Sequence, residues 1–404
     1  MTDQSPPSHA ATGAGGWLAH RPWDRLAAWV RGRLGAGWRP AWPWLAASAG
    51  LAIVLYYAVG ALGIEVIDSD PQFGPGTVTA RQSRTVAQAA ALVRREVDVH
   101  AWTANDPFFL PGWVLDDMPN YQQGIVAAVA RLMGGLADRQ TAGGVIAPGG
   151  DLSQAAGLLK YPGTIWRFDP AISWAPTASA EKQYRRAARS LDAYQRALEA
   201  GTAGFDRRPA ALAATLADIA ADLGAASAVT ESYVAEGHWA LAGGADAVFY
   251  AAKGRLYAYS LLLRELGWDY AQAINDRGAG AAWQHMLATM RTAAALEPLV
   301  VIDGAPDASL LPSHLAAQGF YLLRARQQLG ELAETLRRWG VSAAGGGGIA
   351  QTPLSFRPSD SKRRNLSRRV PERSLGRARD DKKKDVSFRP GASAFFPGIF
   401  IRTC

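Results

Sequence analysis

Residues Trp44 to Ile64 have the sequence WLAASAGLAIVLYYAVGALGI, in which no residue is charged. A helix rises about 1.5 Å per residue, so these 21 residues match the roughly 30 Å hydrocarbon core of a bilayer. The stretch therefore predicts a transmembrane helix, with membrane lipid as its partner. Two alternatives are a signal peptide cleaved near Ala61-Leu62-Gly63 and an apolar helix buried in a soluble domain. The long apolar region and the extended basic leader argue against cleavage, and the apolar length argues against a soluble helix.

The charges on the two sides of this stretch differ in sign. Residues 1–43 contain five arginines and two aspartates, whereas residues 65–80 contain three carboxylates and neither Lys nor Arg. The arginines are Arg21, Arg25, Arg31, Arg33 and Arg39. Positively charged flanks stay in the cytoplasm, so the sequence predicts a cytoplasmic N-terminus and a body outside the membrane.

The leader, residues 1–43, is basic and rich in tryptophan. Six of the 14 tryptophans of the chain lie between Trp17 and Trp44. Indole rings favour the headgroup region of a membrane, which is consistent with a short interfacial helix on the cytoplasmic leaflet. A disordered arm whose arginines only set the topology fits equally well, and the sequence leaves both interpretations open.

The formal net charge of +8 derives from the two ends of the chain. Residues 341–404 contain 14 Lys+Arg and 5 Asp+Glu. Residues 44–340 contain 24 Lys+Arg and 28 Asp+Glu. The body is mildly acidic, so no nucleic-acid partner is expected. The composition of the tail, 341–404, predicts that it is a disordered basic segment. Two other interpretations are that the tail binds anionic lipid or nucleic acid, and that it is an extension of the gene by frame shift or read-through.

The region from 65 to 340 predicts a multi-helix bundle outside the membrane. Apolar residues recur at spacings of three and four, which is typical of one face of a helix. Predicted helices cover about 80–99, a segment opening near Pro119, 151–160, a segment ending at Gly201, a segment ending at Gly224, 227–236, 244–266, 279–296 and 312–338. Only Leu299 to Ile302 resembles a strand. The single cysteine, Cys404, lies in the tail, so the body has no disulfide and depends on packing.

The last predicted helix has a leucine at every seventh position. The four leucines are Leu315, Leu322, Leu329 and Leu336. A heptad stripe packs against another helix, either in an envelope partner or a second copy of the chain, or within the same bundle. Four repeats barely suffice for an independent coiled coil, so intramolecular packing is favoured.

The candidates for chemistry lie in one long connection, His100 to Asn120. Asp106 with Asp116 or Asp117 could supply paired carboxylates for acid–base catalysis, or oxygen ligands for a cation near His100. The favoured alternative is structural, in which the acids cap the next helix and the aromatic residues pack the loop on the bundle. A third interpretation is that the loop forms an interaction surface. The sequence contains no zinc-ligand spacing, phosphate-binding loop or nucleophile elbow, so no metal or cofactor is predicted.

Three stretches resemble a known bacterial family. They are HAWTANDPFFLPGWVLDDMPNYQQG (100–124), the Tyr184-Arg185-Arg186 to Tyr194 helix and HLAAQGFYLLRARQQL (314–329). Together they resemble the inner-membrane family called domain of unknown function 2333, over about 44–339. The resemblance implies a Gram-negative envelope protein with one transmembrane helix and a helical periplasmic region, and it brings no catalytic residues. The tail does not resemble the family.

The sequence thus predicts a mostly α protein in four parts: a leader (1–43), a transmembrane helix (44–64), a helical periplasmic domain (65–340) and a disordered tail (341–404). Its expected place is the bacterial inner membrane, and its expected role is structural or interactive, as a scaffold or assembly factor. The alternative is a periplasmic cell-wall hydrolase that uses Asp106, Asp116 or Asp117.

Overall fold

The computed structural model describes Trp29 and residues 42–147, 149–168, 175–236, 244–298 and 314–338. Within these ranges the chain is helical and has no β-strand, which confirms the mostly α prediction. The α-helices, numbered here in chain order, are α1 Trp42–Ile64, α2 Arg84–Arg94, α3 Asp117–Ala142, α4 Asp151–Leu159, α5 Ala180–Ala200, α6 Pro209–Ala235, α7 Ala245–Asp269, α8 Ala271–Asp276, α9 Gly280–Ala294 and α10 His314–Arg338. Most of the leader, the strand-like segment Leu299 to Ile302 and the tail lie outside the described residues.

Two helices, α1 and α6, are long and apolar enough to cross a membrane. The most apolar window of α1 has a mean hydropathy of 1.9 and none of its residues is buried, whereas the window of α6 has a value of 1.4 and is 50% buried. Leu212, Leu216, Ile219 and Leu223 place one face of α6 in the core of the bundle. The apolar surface of α6 is therefore half covered by protein, whereas that of α1 is exposed except where the loop residues Phe108, Phe109 and Pro111 contact it.

The centre of the bundle is a close crossing of α3 and α7. A Cβ atom on Gly124 would lie 2.2 Å from the carbonyl oxygen of Ala251, and one on Gly254 would lie 2.1 Å from that of Tyr121. These pairings, 121 with 254 and 124 with 251, require the helices to run in opposite directions. The two glycines let the backbones touch, and a larger side chain at either position would force them apart.

The leucine stripe of α10 packs inside the chain. Leu315, Leu322 and Leu329 are fully buried and Leu336 is 1% exposed, in a helix that packs chiefly against α6. The structure thus agrees with the intramolecular interpretation of the heptads. In this conformation the four leucines offer no surface to an envelope partner or to a second copy.

The start of α2 is capped by a residue from the end of α7. The carboxylate of Asp269 accepts hydrogen bonds from Ser83 Oγ (2.7 Å), the Arg84 amide (2.9 Å), and the amide (3.0 Å) and hydroxyl (2.7 Å) of Thr85. Asp269 is only 9% exposed. Amides in the first turn of a helix have no partner within the helix, so this carboxylate joins two helices by satisfying them.

The predicted helix boundaries agree with the structure in part. Gly201 ends α5 in the left-handed conformation, with φ of 74°, as its position predicted. The prediction that a helix ends at Gly224 was wrong, because α6 continues through this residue to Ala235. Gly224 instead lies against the Arg326 side chain of α10, with 3.2 Å from its Cβ position to the nearest atom. The glycine provides space for a neighbouring helix rather than a cap.

The segment that leaves α1 is held on the bundle by its carbonyl groups. Those of Asp68 and Asp70 accept hydrogen bonds from the hydroxyls of Tyr121 and Tyr257, each at 2.8 Å. The Arg264 guanidinium donates to the carbonyls of Pro71 (2.7 Å) and Phe73 (2.6 Å). The connection between α1 and the bundle is therefore ordered and fixed at several points.

Candidate functional site

The first half of the long connection after α2 is docked on the bundle. Trp102 is 3% exposed, donates from Nε1 to the Gly163 carbonyl (2.8 Å) and stacks edge-on against Tyr184 with ring centroids 5.0 Å apart. Asn105 donates to the carbonyl of Ile165 (2.9 Å) and to Glu181 (3.1 Å). For this half, the interpretation of the loop as packed on the bundle is in agreement with the structure.

The second half of the connection does not follow that interpretation. Phe108 is 67% exposed, Phe109 46% and Trp113 59%. The turn from Pro107 into the 3-10 helix Pro111–Val114 carries Phe108 and Trp113 away from the bundle, whereas Phe109 stacks edge-on against Trp166 with ring centroids 5.7 Å apart. Periodicity could not separate these rings from Trp102, since none of the four lies in a regular α-helix or strand.

Asp106 lies at the boundary between the two halves, beside another acid. Burial and the neighbouring Glu181 carboxylate raise the pKa of Asp106 to about 6. One carboxylate oxygen packs on Gly112, where a Cβ atom would lie 2.1 Å from it. Neither Asp116 nor Asp117 is among the causes of this shift.

Asp116 and Asp117 begin α3 in a different environment. Asp116 occupies the N-cap position without a side-chain capping bond, so the prediction that it caps the helix is confirmed for its position but not for its side chain. Burial and three acids, Asp246, Glu65 and Asp116, raise the pKa of Asp117 to about 6. The Tyr250 hydroxyl partly offsets this shift by hydrogen bonding.

His100 belongs to a third cluster, built on the π-helix Arg95–Val99 that continues α2. Its Nδ1 lies 3.5 Å from Glu96 Oε2 and its Nε2 lies 4.0 Å from Asp68 Oδ2. Arg95 contacts Glu96 at 2.9 Å and Asp68 at 3.4 Å, and donates to the Tyr257 hydroxyl at 2.7 Å. The predicted constellation of His100 with the loop aspartates is therefore not formed.

Most of the third cluster is buried. The Glu96 side chain is fully buried, that of Arg95 is 4% exposed and that of His100 is 11% exposed, whereas that of Asp68 is 34% exposed. The Arg95 guanidinium offsets the carboxylates of Glu96 and Asp68, as buried charges generally need a partner. We interpret the cluster as a structural ion network that secures α2 to α7 and to the segment after α1.

One backbone feature next to this cluster is strained. Ala101 has φ of 60°, a conformation that non-glycine residues rarely adopt. Gln122 of α3 holds the turn, since its amide nitrogen donates to the carbonyls of Ala101 (2.8 Å) and Glu96 (3.2 Å) and its oxygen accepts from the Thr103 amide (3.0 Å). π-Helices and strained residues often occur at functional sites, yet here both turn the chain from α2 into the loop. No signal in the sequence predicted them.

Among the described residues, no group of three or more His, Cys, Asp or Glu side chains is arranged to hold a metal ion. Asp106, Asp117 and His100 thus lie in three separate acidic or ionic clusters.

A surface groove of about 570 Å³ runs along α3, beside the end of α4 and the middle of α7. Its charged lining residues are Arg131, Lys160, Asp222 and Arg255. Asp222 is partly neutralised by Arg255 at 3.9 Å and accepts a hydrogen bond from Tyr259 at 2.9 Å. Neither Arg131 nor Lys160 forms an ion pair with another described residue, so the groove presents positive charge. The sequence did not indicate it, because its residues come from five helices and a loop.

Comparison of the chain with protein-family models, curated proteins and solved structures found no match. The resemblance to the family of unknown function therefore rests on the three quoted stretches alone.

Proposed function

We propose that this chain is a single-pass protein of a bacterial inner membrane that holds a helical domain in the periplasm and acts there as a scaffold or assembly factor. The observation that carries the proposal is α1, whose 23 residues include none that is buried. An apolar helix of this length without a protein partner along most of its surface requires lipid around it.

The orientation is supported by charge. Five arginines precede α1, whereas Glu65, Asp68 and Asp70 follow it. Under the positive-inside rule this places α2 to α10 outside the cytoplasm. The resemblance to the inner-membrane family supports the same compartment.

The test of location uses two reporters at one position. After extraction with alkaline carbonate, the full chain should remain with the membrane pellet. Alkaline phosphatase fused after Trp339 should be active, and green fluorescent protein fused there should be dark. The reverse pattern would overturn the orientation, and release of the chain by carbonate would overturn the anchor.

An interaction role is supported by the groove along α3. It is open to solvent, contains two cations, Arg131 and Lys160, that form no ion pair with the described part of the chain, and is lined by the half-buried Tyr161 as well. Tyrosine and arginine are enriched where proteins bind other proteins. A partner with an acidic, partly aromatic surface would fit it.

Photo-crosslinking in living cells tests this role. A photoreactive amino acid at Lys160 should give a defined crosslinked species, which Arg131→Glu should abolish. The same amino acid at exposed Ala200, at the end of α5, is the control and should give none. Equal crosslinking at both positions, or no effect of Arg131→Glu, would contradict a specific docking role for the groove.

The hydrolase alternative has less support. The raised pKa values of Asp106 and Asp117 would suit a general acid. Asp106 lies near Glu181, however, and Asp117 near Asp246 and Glu65, so the loop aspartates do not form the carboxylate pair that this alternative invoked. A chain with Asp106→Asn and Asp117→Asn should therefore retain its function in cells.

A further inference from the structure

The segment Pro107–Val114, called here the aromatic loop, exposes an unusual amount of apolar surface. Its sequence PFFLPGWV contains no charged residue. Phe108, Phe109, Trp113 and Val114 are 67%, 46%, 59% and 48% exposed. Contiguous exposed aromatic residues are rare on soluble domains, and they mark surfaces that bind protein or lipid.

The aromatic loop is attached to α1. Tyr57 donates a hydrogen bond from its hydroxyl to the Phe108 carbonyl (2.5 Å), and Tyr56 donates to the Phe109 carbonyl (3.1 Å). Pro111 packs closely on Gly60, since a Cβ atom on Gly60 would lie 2.4 Å from the ring of Pro111. The loop thus lies along the last third of the apolar helix, not at its tip.

The position of these contacts along α1 determines how deep the aromatic loop lies in the bilayer. Tyr57 lies seven residues before Ile64, so it lies about 10 Å along the axis from the end of the helix. If α1 spans the bilayer, the Phe108 backbone lies at the same depth as Tyr57. The aromatic loop would then reach the acyl chains of the outer leaflet.

A loop can enter hydrocarbon only if its polar backbone groups have partners. The carbonyls of Pro107, Leu110 and Gly112 accept from amides within the loop or just after it, at 2.8, 3.2 and 3.1 Å. The carbonyls of Phe108 and Phe109 accept from the two tyrosines of α1. These contacts give partners to five of the eight carbonyls of the loop and to the amides of Leu110 and Trp113, which lowers the cost of placing this backbone in hydrocarbon, and they also give the tyrosine hydroxyls partners on an apolar helix.

The bundle cannot simply tilt the loop out of the membrane. The segment after α1 is held by Tyr121, Tyr257 and Arg264, Trp102 docks the chain shortly before the aromatic loop, and Phe109 within the loop stacks on Trp166. The geometry between α1 and the loop is therefore maintained from both sides.

We propose that the aromatic loop inserts into the outer leaflet beside α1 and binds the acyl-chain region of the bilayer as a second anchor. The proposal rests on the transmembrane placement of α1. Because the loop carries no Lys or Arg, its insertion depends on apolar contact and not on anionic lipid. The consequence is that the periplasmic bundle is held at the membrane surface in one orientation.

Spin labels on the full chain test this insertion. In a Cys404→Ser background, single cysteines replace Phe108, Val114, Leu51 and Ala200, and the labelled chains are reconstituted in phosphatidylcholine vesicles with and without phosphatidylglycerol. Leu51 in α1 is the lipid reference. Ala200 is the water reference, because α5 ends near the far end of α3, where Tyr194 bonds to Gln140. Relaxation by oxygen reports lipid, and relaxation by a water-soluble nickel chelate reports solvent.

We expect the labels at 108 and 114 to behave like the label at 51, relaxed by oxygen and protected from nickel, in both lipid mixtures. Nickel access at 108 and 114 with lipid access at 51 would overturn the insertion and leave the anchor intact. Nickel access at 51 would overturn the anchor itself. Protection of 108 and 114 from both reagents would show that protein covers the loop, which also overturns insertion.

Discussion

Asp106 illustrates how a single half-buried carboxyl makes stability depend on pH. Burial and Glu181 raise its pKa to about 6, compared with about 3.9 for an aspartate in an unfolded chain. The folded protein therefore holds a proton that the unfolded chain has already lost between these values. The contribution of this group is fully present below about pH 4, and it is lost as the pH rises through about 6.

We predict that Asp106→Asn flattens this dependence. The amide carries no charge to bury, so the variant should be more stable than the parent near pH 7, and the difference should shrink toward pH 4. The measurement is urea unfolding in detergent micelles at four pH values. Exposed Asp138→Asn is the control and should preserve the slope of the parent. An unchanged slope in Asp106→Asn would contradict the assignment of the shift to this residue.

A second prediction concerns Asp269, the shared cap of α2. Asp269→Ala leaves four buried donors of Ser83, Arg84 and Thr85 without an acceptor. Hydrogen bonds to a charged group contribute about 1.5–3 kcal/mol each and are not additive, so we expect a loss of about 3 kcal/mol.

Thermal and urea unfolding would measure this loss. Asp192→Ala removes an ion pair to Arg94 in which both side chains are about two-fifths exposed, and it should cost about 0–1 kcal/mol. Equal losses in the two variants would argue against the cap.

At the scale of elements, the crossing of α3 and α7 depends on glycine. In Gly254→Ala the new methyl group would lie 2.1 Å from the Tyr121 carbonyl oxygen, which belongs to rigid backbone. Forcing two packed helices apart costs about 1–3 kcal/mol, and this variant should lie at the upper end.

The matched control is Gly157→Ala, in the exposed face of α4 with no atom within 4 Å of its Cβ position. Alanine favours a helix over glycine by about 0.5–1 kcal/mol, so this variant should gain stability. Opposite signs for the two Gly→Ala variants in denaturant unfolding are the expected result. A stabilised Gly254→Ala would contradict the close crossing.

The same scale explains which elements the sequence predicted. The periodicity of α3 and α5 and the glycine after α5 are local signals, and local backbone preference follows them. Gly224, like Gly201, follows an apolar stripe and so was predicted to end a helix, but it lies inside α6. Only the presence of α10 across the helix distinguishes the two glycines, since Arg326 occupies the space beside Gly224. That information comes from about a hundred residues further along the chain.

At the scale of the whole molecule, α1 is coupled to the bundle through the aromatic loop. Gly60→Leu places a side chain where Pro111 lies, at 2.4 Å, and should displace the loop from α1. Chymotrypsin added to vesicles should then cut after Phe108, Phe109 or Trp113 faster than in the parent, as followed by mass spectrometry.

Gly63→Leu, one turn away with no atom within 4 Å of its Cβ position, is the control. It should be cut at the rate of the parent. Equal cleavage of the two leucine variants would contradict docking of the loop on α1.

The sequence by itself determined the apolar helix, its flanking charges and the helical class of the bundle. Each of these depends on residues that are neighbours in the chain, so spacing and composition suffice to predict them. The tertiary structure alone decided that His100 joins Glu96 and Asp68 and not the loop aspartates. It also decided that Trp102 is buried while Phe108 and Trp113 face outward beside α1. These outcomes depend on contacts between residues far apart in the chain, such as Tyr57 with Phe108, whose free energies are set by packing and by the satisfaction of polar groups in three dimensions.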